Sequence, residues 1–246
     1  MIDKTLVKNS FKKNLKTYED NAFVQKKMAQ ELINMLPCKN HSRVLEIGVG
    51  TGYFTRLLAE NISYKDFFAN DIVQECSNYL SKVIEGAVFV SGDIESVNIP
   101  QDIDLVVSNA TLQWVSDLDE ILLKISASLN KEGCFVFSTF GKKNFYELKD
   151  VSGMGLKYYS KEELKSVLER YFEVIEIKES EEKLFFNSFK ELLKHIKLTG
   201  VNGVSSTPFS ISDIKEIELK YKEKYFDGKR FVLTYNPLYV SLKKKS

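Results

Sequence analysis

Residues 44–55, which read VLEIGVGTGYFT, constrain the fold of this chain more than any other stretch. An aliphatic run that contains Glu46 is followed by Gly48, Gly50 and Gly52, after which apolar residues return at helical spacing. This order predicts a buried strand, a tight turn and the start of a helix. Glycine permits a sharp turn and a close approach of a ligand to the backbone, and the free N–H groups of the helix start face that ligand.

The spacing and charge of this turn separate it from a dinucleotide site. It reads G-x-G-x-G rather than G-x-G-x-x-G, and Glu46 stands just before it. A carboxylate there repels a pyrophosphate and suits a cationic ligand. The stretch resembles the first motif of the S-adenosylmethionine-dependent methyltransferases, whose glycine turn holds the methionine part of the cofactor. A structural strand–helix turn in another α/β domain is the alternative interpretation.

Apolar runs alternate with amphipathic segments along the rest of the chain. Strands are predicted at 43–47, 66–70, 87–90, 103–107, from 133, at 172–177 and at 230–242. Successive strand-then-helix units imply parallel strands with right-handed crossovers. The sequence therefore predicts an α/β, Rossmann-like fold: a seven-stranded, mostly parallel sheet with helices on both faces and an antiparallel final strand. With 246 residues, 43% of them hydrophobic, residues 1–246 suit a single domain.

Two segments lie outside this sheet pattern. Residues 1–36 are predicted to be helical. Residues 182–229 are too many for a hairpin loop, and their apolar residues fall into two helical stripes. The first stripe ends at Ile196, and the second runs through Ile211, Ile214 and Leu219. This insertion is predicted to form a helical cap over the active site.

Polar residues follow several predicted strands and are candidates to bind a nucleotide-like cofactor. Asp71 lies 21 residues beyond Gly50, a spacing at which a carboxylate accepts hydrogen bonds from ribose hydroxyls. Asp93 can accept from an adenine amine while Ile94 covers the ring; a helix cap or an Asx turn is the alternative for Asp93. Asn109 follows the fourth strand. Since ligands of open α/β sheets gather at the carboxyl ends of strands, these residues predict one site.

Composition excludes several classes of function. The net charge of +1 lacks the basic footprint of a nucleic-acid-binding protein. Three separated cysteines and two histidines show neither metal-ligand spacing nor a disulfide framework, so no metal is predicted. The first residues lack the apolar run of a signal peptide, and no stretch approaches the length of a membrane span. A cytoplasmic location without a membrane partner is therefore expected.

Four further segments narrow the family. SFKKNLKTYEDNAFVQKKMAQELINML (10–36), GDIESV (92–97), LVVSNATLQWVSD (105–117) and VLTYNPLYV (232–240) occur in this order. They resemble the malonyl-[acyl-carrier protein] O-methyltransferases of biotin synthesis, and the resemblance spans nearly the whole chain. GDIES and SN-x-x-x-QW are its more specific parts. Glu46 stands where many members carry aspartate, which keeps the charge, and the cap matches only in pattern.

The resemblance implies methyl transfer from S-adenosylmethionine to the free carboxylate of a malonyl thioester on acyl carrier protein, by a chain that we expect to be monomeric. The implied cofactor-binding residues are Tyr18, Glu46, Gly48, Gly50, Gly52, Asp71, Ile72, Asp93, Ile94 and Asn109. The implied catalytic residues are Tyr18, Asn109, Gln113, Trp114, Arg230 and Tyr235. Three of these have a structural alternative: an interfacial tyrosine for Tyr18, core packing for Trp114 and a surface role for Arg230.

An acidic carrier protein needs a local basic surface, because the net charge gives no overall attraction. Lysines are predicted to supply it from three segments near the carboxyl edge of the sheet: Lys8, Lys12, Lys13, Lys16, Lys142, Lys143, Lys190, Lys194 and Lys197. A small-molecule carboxyl or hydroxyl O-methyltransferase is the main alternative function. A nucleic-acid methyltransferase fits less well, since SNAT follows strand four and no catalytic cysteine motif is visible. A cofactor-binding module without turnover is the non-enzymatic alternative.

Overall fold

The structure is a computed structural model that describes residues 2–153, 155–199 and 210–245. Its α-helices are α1 Lys4–Asn21, α2 Phe23–Asn34, α3 Tyr53–Asn61, α4 Ser77–Leu80, α5 Leu118–Ser128, α6 Tyr146–Ser152, α7 Lys161–Leu168, α8 Phe189–Leu198 and α9 Ile211–Tyr225. Its strands are β1 Arg43–Ile47, β2 Asp66–Asp71, β3 Val88–Ser91, β4 Ile103–Ser108, β5 Leu129–Phe140, β6 Phe172–Glu179, β7 Glu182–Phe186, β8 Phe231–Tyr235 and β9 Pro237–Lys244. Among the described residues, no helix has the length and apolar character needed to cross a membrane.

The main sheet has seven strands in the order β3-β2-β1-β4-β5-β9-β6. β9 is antiparallel to both of its neighbours, whereas the pairs from β3 to β5 are parallel. This confirms the predicted Rossmann-like, mostly parallel sheet with an antiparallel final strand. Ile47 pairs with both Asn70 and Ser108, so the carboxyl ends of β1, β2 and β4 lie side by side.

Apolar side chains leave the central strands alternately toward two buried clusters. On one face, Val44 and Val107 pack in a cluster with Met28 of α2. On the opposite face, Leu45 packs in a cluster with Ile121 of α5. The alternation follows from the period of two along a strand, and parallel strands buried on both faces read as continuous apolar runs. Helices therefore cover both faces, as predicted.

The N-terminal segment forms two helices, which meet at Ala22 (φ −87°, ψ 47°). Asp3 caps α1, because its side chain accepts hydrogen bonds from two N–H groups of the first turn. α2 buries Val24, Met28 and Leu32, the face expected from their spacing. The change of direction at Ala22 allows α1 to leave the sheet face and to lie across the carboxyl edge.

The predicted cap is only partly helical. Its first residues form β7, which pairs antiparallel with β8 in a separate two-stranded sheet. The single strand predicted at 230–242 is thus two strands, β8 and β9, which belong to different sheets. The predicted second stripe was also wrong, since Ile211 and Leu219 are exposed and α9 buries Ile217 and Tyr221 instead.

Candidate active site

A cleft lies at the carboxyl edge of the sheet, between the glycine turn and α1. Its empty volume is about 1090 Å³, including the solvent at its mouth, and we call it the glycine-turn cleft. Its walls contain all of the predicted cofactor-binding residues except Glu46 and Gly52. Those in the walls are Tyr18, Gly48, Gly50, Asp71, Ile72, Asp93, Ile94 and Asn109.

The glycine turn presents bare backbone to this cleft. Gly48 has a φ of 84°, and a Cβ added there would lie 2.1 Å from Thr111 Oγ1. Gly50 has a φ of 55° and open space beside it. Its N–H donates to Asp71 Oδ2 over 2.9 Å. Only glycine combines these dihedral angles with such close approach, so the turn leaves room where a side chain would stand. Gly52 caps α3 and lies outside the wall.

Glu46 lies outside the cleft wall and is fully buried. The Thr55 hydroxyl donates to Glu46 Oε2 over 2.7 Å, while Oε1 has no hydrogen-bond partner among the described residues. Burial raises the pKa of Glu46 to about 8, although the bond from Thr55 opposes the change. A buried carboxyl with one unpaired oxygen favours a cation nearby. The ammonium group of a methionine-containing cofactor fits this demand.

Asp71 and Asp93 occupy the predicted positions but already hold parts of the protein. Asp71 accepts from Gly50 N over 2.9 Å and from Val73 N over 2.8 Å, which ties the glycine turn to β2. Burial raises the pKa of Asp71 despite these bonds. Asp93 accepts from Glu95 N over 3.1 Å, so the Asx turn proposed as its alternative is present. Carboxylate oxygens accept more than one hydrogen bond, so both residues retain the capacity to bind a ligand.

α1 forms the opposite wall of the cleft. Side chains three or four residues apart line it, which places them on one helical face: Lys4, Val7, Phe11, Leu15 and Tyr18. Ion pairs fasten both ends of the helix across the cleft. Lys4 Nζ lies 3.3 Å from Asp93, and Arg56 of α3 lies 2.6 Å from Glu19.

A smaller cavity adjoins the glycine-turn cleft. Its empty volume is about 320 Å³ counted with open solvent, and we call it the aromatic pocket because Phe140, Phe145, Tyr158 and Tyr235 surround it. It contains all of the predicted catalytic residues except Asn109 and Arg230, namely Tyr18, Gln113, Trp114 and Tyr235. Residues that line both cavities mark where they meet: Phe11, Tyr18, Gln25, Ala110 and Trp114.

Two polar side chains stand at this junction. The Tyr18 hydroxyl has no hydrogen-bond partner among the described residues, and desolvation together with the charge of Asp71 raises the pKa of Tyr18. Trp114 is 7% exposed, and its indole Nε1 is buried without a partner among the same residues. Its ring meets Phe11 edge-on at 5.7 Å. Trp114 therefore packs in the core, the structural alternative given for it, and also leaves a hydrogen-bond donor unused at the junction.

The deeper groups of the aromatic pocket are neutral. The hydroxyl of Tyr235 lies 2.8 Å from His195 Nε2, and both side chains are buried. Burial lowers the pKa of His195 to about 4, so its imidazole is uncharged near neutral pH. The hydroxyl of Tyr158 accepts a hydrogen bond from Asn144 Nδ2 over 3.0 Å. The pocket thus offers hydroxyl, amide and indole groups in apolar surroundings.

The remaining two predicted catalytic residues are not in this pocket. Asn109 donates to the Gln25 carbonyl over 3.1 Å and accepts from Ser138 over 2.7 Å, which ties α2 to β5 in the wall of the glycine-turn cleft. Arg230 is exposed, lies over the ring of Phe185 at 4.4 Å and lines neither cavity. The structure thus gives Arg230 the surface position that was its alternative.

Several residues of the pocket wall, and His195 behind Tyr235, were not predicted. Gln25 and His195 each place a polar group in the apolar stripe of a helix, a signal by which they could have been found. Tyr158 and Asn144 lie in irregular segments, where no local pattern distinguishes them. Thr199 follows α8 and reaches the pocket only because α8 packs against α1.

Comparison with known proteins gives matches along the whole chain. A family model described as a methyltransferase domain matches residues 21–177. The malonyl-[acyl-carrier protein] O-methyltransferase of Chlorobium luteolum is 38% identical, over 100% of this chain and 97% of that protein. The enzyme of the same name from Calditerrivibrio nitroreducens is also 38% identical, over 96% of each chain.

Solved structures share the fold at low sequence identity. The N-methyltransferase NodS of Bradyrhizobium japonicum, determined with S-adenosyl-L-homocysteine, has a TM-score of 0.59 at 13% identity, covering 98% of this chain and 99% of that one. The YcgJ protein of Bacillus subtilis has a TM-score of 0.64 at 14% identity, covering 89% and 99%. The full-length relatives and the family model establish an S-adenosylmethionine-dependent methyltransferase, and the solved structures agree in fold. The chain belongs to the malonyl-[acyl-carrier protein] O-methyltransferase family.

Proposed function

We propose that this enzyme methylates the free carboxylate of a malonyl thioester on acyl carrier protein. The observation that carries the proposal is the aromatic pocket, which joins the glycine-turn cleft at Tyr18 and Trp114. Its apolar walls and neutral donors suit a small acyl group with one polar end. The names of the full-length relatives support the same substrate. The product is a neutral ester, which hides the charge of the malonyl group from enzymes that extend fatty acyl chains.

Methylation of a carboxylate requires no proton transfer to or from the protein. A carboxylic acid is ionised near neutral pH, so its oxygen needs no general base. That oxygen forms a bond to the methyl carbon while the carbon–sulfur bond breaks and its electron pair stays on sulfur. Bound cofactor supplies the electrophilic methyl group. Tyr18, Trp114 and Tyr235 exclude water and hold the acceptor in line, and such positioning contributes ~7–11 kcal/mol in favourable cases.

Mass spectrometry of the carrier tests this proposal. The enzyme is incubated with isotopically labelled S-adenosylmethionine and malonyl-carrier, and the carrier is then weighed. We expect transfer of one labelled methyl group to malonyl-carrier. Acetyl-carrier and malonyl-carrier already esterified at the free carboxyl are the matched controls, and neither should be labelled. Equal labelling of acetyl- and malonyl-carrier would contradict carboxyl methylation.

We also propose that the acidic carrier docks on exposed lysines of α1 and α8. The two helices are neighbours, because Asn14 Nδ2 of α1 donates to the Lys197 carbonyl over 3.0 Å. The predicted lysines that are exposed and form no ion pair within the described ranges are Lys8, Lys13, Lys16, Lys190, Lys194 and Lys197. Lys12, Lys142 and Lys143 are instead paired with Glu75, Glu163 and Glu181.

Charge reversal tests the docking surface. Lys194→Glu combined with Lys197→Glu should raise the KM for malonyl-carrier and leave a small malonyl thioester almost unaffected, because steering acts on the whole carrier. Added salt should have the same effect, since screening at physiological ionic strength acts over ~8 Å. Lys39→Glu with Lys65→Glu, the same charge change away from α1 and α8, is the control. Equal effects of both pairs would place docking elsewhere.

A further inference from the structure

The aromatic pocket lacks a positive side chain to match a substrate carboxylate. No lysine or arginine is among the residues that line it within 2–153, 155–199 and 210–245. The residues outside these ranges include no lysine, arginine or histidine in the sequence. His195, which contacts Tyr235 at the wall, is uncharged near neutral pH because burial lowers its pKa to about 4. A carboxylate in this pocket therefore has no counter-charge from the chain.

The pocket does contain hydrogen-bond donors that the protein leaves unused. Trp114 Nε1 is buried and has no partner among the described residues. The Tyr158 hydroxyl accepts from Asn144, which leaves its own proton to donate, since a hydroxyl both donates and accepts. Asn144 and Thr199 donate to other protein groups, to Tyr158 and to the His195 carbonyl respectively. Burial of Trp114 Nε1 thus calls for an acceptor from outside the described residues, and the Tyr158 hydroxyl has a proton available for the same acceptor.

The pocket also contains two unpaired buried acceptors, Gln25 Oε1 and Gln113 Oε1. Each of these acceptors lies where a part of the ligand other than the carboxylate can donate a hydrogen bond to it. Gln25 also lines the glycine-turn cleft, where ribose hydroxyls and an ammonium group would lie. Gln113 also lines a groove of about 1410 Å³, counted with open solvent, that shares Tyr158 with the pocket. The amide N–H groups of the carrier's pantetheine arm suit an acceptor at that position.

We propose that Trp114 Nε1–H and Tyr158 O–H bind the substrate carboxylate as neutral donors, and that its counter-charge is the sulfonium of the bound cofactor rather than a lysine or arginine of the pocket. This inference rests on the proposed function. Burying a carboxylate without a cation is costly, so the acceptor binds well only beside a positively charged cofactor. After transfer, the ester and S-adenosylhomocysteine are both neutral, and the attraction that held the substrate is gone. The donor pair thus couples acceptor affinity to the charge state of the cofactor site.

Calorimetry on non-reacting complexes tests the coupling. Malonyl-carrier is titrated into enzyme saturated with neutral S-adenosylhomocysteine or with sinefungin, an analogue that carries an amine in place of the methylsulfonium. We expect tighter binding to the sinefungin complex by roughly 5- to 150-fold, the usual range for coupling between sites. The carrier-bound malonyl methyl ester should bind both complexes equally. Equal affinity of malonyl-carrier for both complexes would overturn the proposal.

Two variants test the donors. Trp114→Phe and Tyr158→Phe should each weaken malonyl-carrier binding to the sinefungin complex by about tenfold or more, because hydrogen bonds to a charged group are the strong ones. The methyl ester carrier should be little affected. Tyr158 does not line the glycine-turn cleft, so its variant keeps the test valid if Trp114→Phe disturbs cofactor binding. Tyr171→Phe, which removes a hydroxyl bonded to Asp119 outside both cavities, is the matched control.

The outcomes separate this inference from the proposed function. If malonyl-carrier is methylated but both donor variants bind it like the parent enzyme, the donor assignment fails and the function stands. If malonyl-carrier is neither bound by the sinefungin complex nor methylated, both fail. Weaker binding of malonyl-carrier and of its methyl ester by equal factors would show that the two side chains only shape the pocket, which would also overturn the assignment.

Discussion

The glycine-turn cleft and the aromatic pocket share a wall but differ in how they are built. The polar groups of the cleft stand at the ends of consecutive parallel strands, and three of them are carboxylates within or behind the wall: Glu46, Asp71 and Asp93. The aromatic pocket draws its residues from α1, α2, the segment after β4, β5, β8 and the segments around α6 and α8. Its polar groups carry no full charge.

This difference matches what each cavity has to recognise. A cofactor with an ammonium group and ribose hydroxyls suits carboxylate acceptors that backbone N–H groups hold in place. An anionic acceptor suits donors, and neutral donors leave a carboxylate oxygen more nucleophilic than a tight ion pair would. Opposite chemical preferences on the two sides of Tyr18 and Trp114 thus bring opposite charges to one point. Variants on either side should therefore have separable effects, as the following predictions state.

The largest effect is expected for Gly48→Ala in the cleft. The added Cβ would lie 2.1 Å from Thr111 Oγ1 and would also force alanine to a φ of 84°. The strained backbone alone costs ~1–3 kcal/mol, and the overlap adds to this. We expect a lower melting temperature and loss of measurable S-adenosylmethionine binding by calorimetry. Gly153→Ala, with a φ of 69° and open space, is the control, and similar losses in both would show that close approach is not decisive.

The second effect is on cofactor affinity. Asp71→Asn keeps an acceptor for one of the two N–H groups that Asp71 binds but removes the charge offered to the ribose hydroxyls. Hydrogen bonds to a charged group contribute ~1.5–3 kcal/mol, so affinity for S-adenosylmethionine should fall about tenfold to over a hundredfold. Circular dichroism should show a folded variant. Unchanged affinity in a folded Asp71→Asn protein would remove Asp71 from the binding site.

The two cavities also differ in how well the sequence predicts them, because one is built from consecutive strand ends and the other from scattered elements. The cleft was largely predictable, because consecutive strands of a parallel sheet bring their carboxyl ends together once the topology is known. Gly50 and Asp71 are 21 residues apart but hydrogen-bonded for this reason. Repeated strand–helix units likewise predicted parallel strands with right-handed crossovers, but not their order in the sheet. The placement of Glu46 outside the wall was not predictable, since spacing along a strand does not reveal what a side chain meets.

The aromatic pocket was predicted only where a motif happened to reach it. Gln113 and Trp114 came from the segment after β4, whereas Tyr158 and Asn144 meet through contacts that no local pattern encodes. The cap was misread because β7 has few residues and finds its partner, β8, about fifty residues later. Long-range pairing of this kind overrides helical periodicity, which is a weak guide in so polar a segment.

A third, smaller effect should appear only on the acceptor side. Tyr235→Phe removes a hydroxyl that pairs with His195 and lines the aromatic pocket but not the glycine-turn cleft. Loss of one neutral hydrogen bond of ~0.5–1.5 kcal/mol should lower kcat/KM for malonyl-carrier by about two- to tenfold. Affinity for S-adenosylmethionine should stay unchanged, which is the reverse of the result for Asp71→Asn. A loss of cofactor affinity in Tyr235→Phe would contradict the prediction that the two cavities bind cofactor and acceptor separately.

The last effect is on folding rather than on ligand binding, and it concerns the pH dependence of stability without cofactor. Burial raises the pKa of Glu46 from 4.5 to about 8, so the folded protein keeps this proton over an interval in which the unfolded chain releases it. The contribution of Glu46 to the free energy of unfolding is fully present below the pKa of the unfolded chain, 4.5. It is lost as pH rises toward the pKa of the folded protein, about 8. Glu46→Gln has no such loss, so its melting temperature relative to the parent should increase between about pH 5 and 8.5, by ~2–4 °C per kcal/mol in a chain of this size. Saturating S-adenosylmethionine should narrow the difference, because a nearby cation stabilises the ionised parent carboxylate but gains nothing from glutamine. If the melting temperatures of the parent and of Glu46→Gln instead change with pH in parallel, Glu46 is already ionised in the folded protein without its ligand.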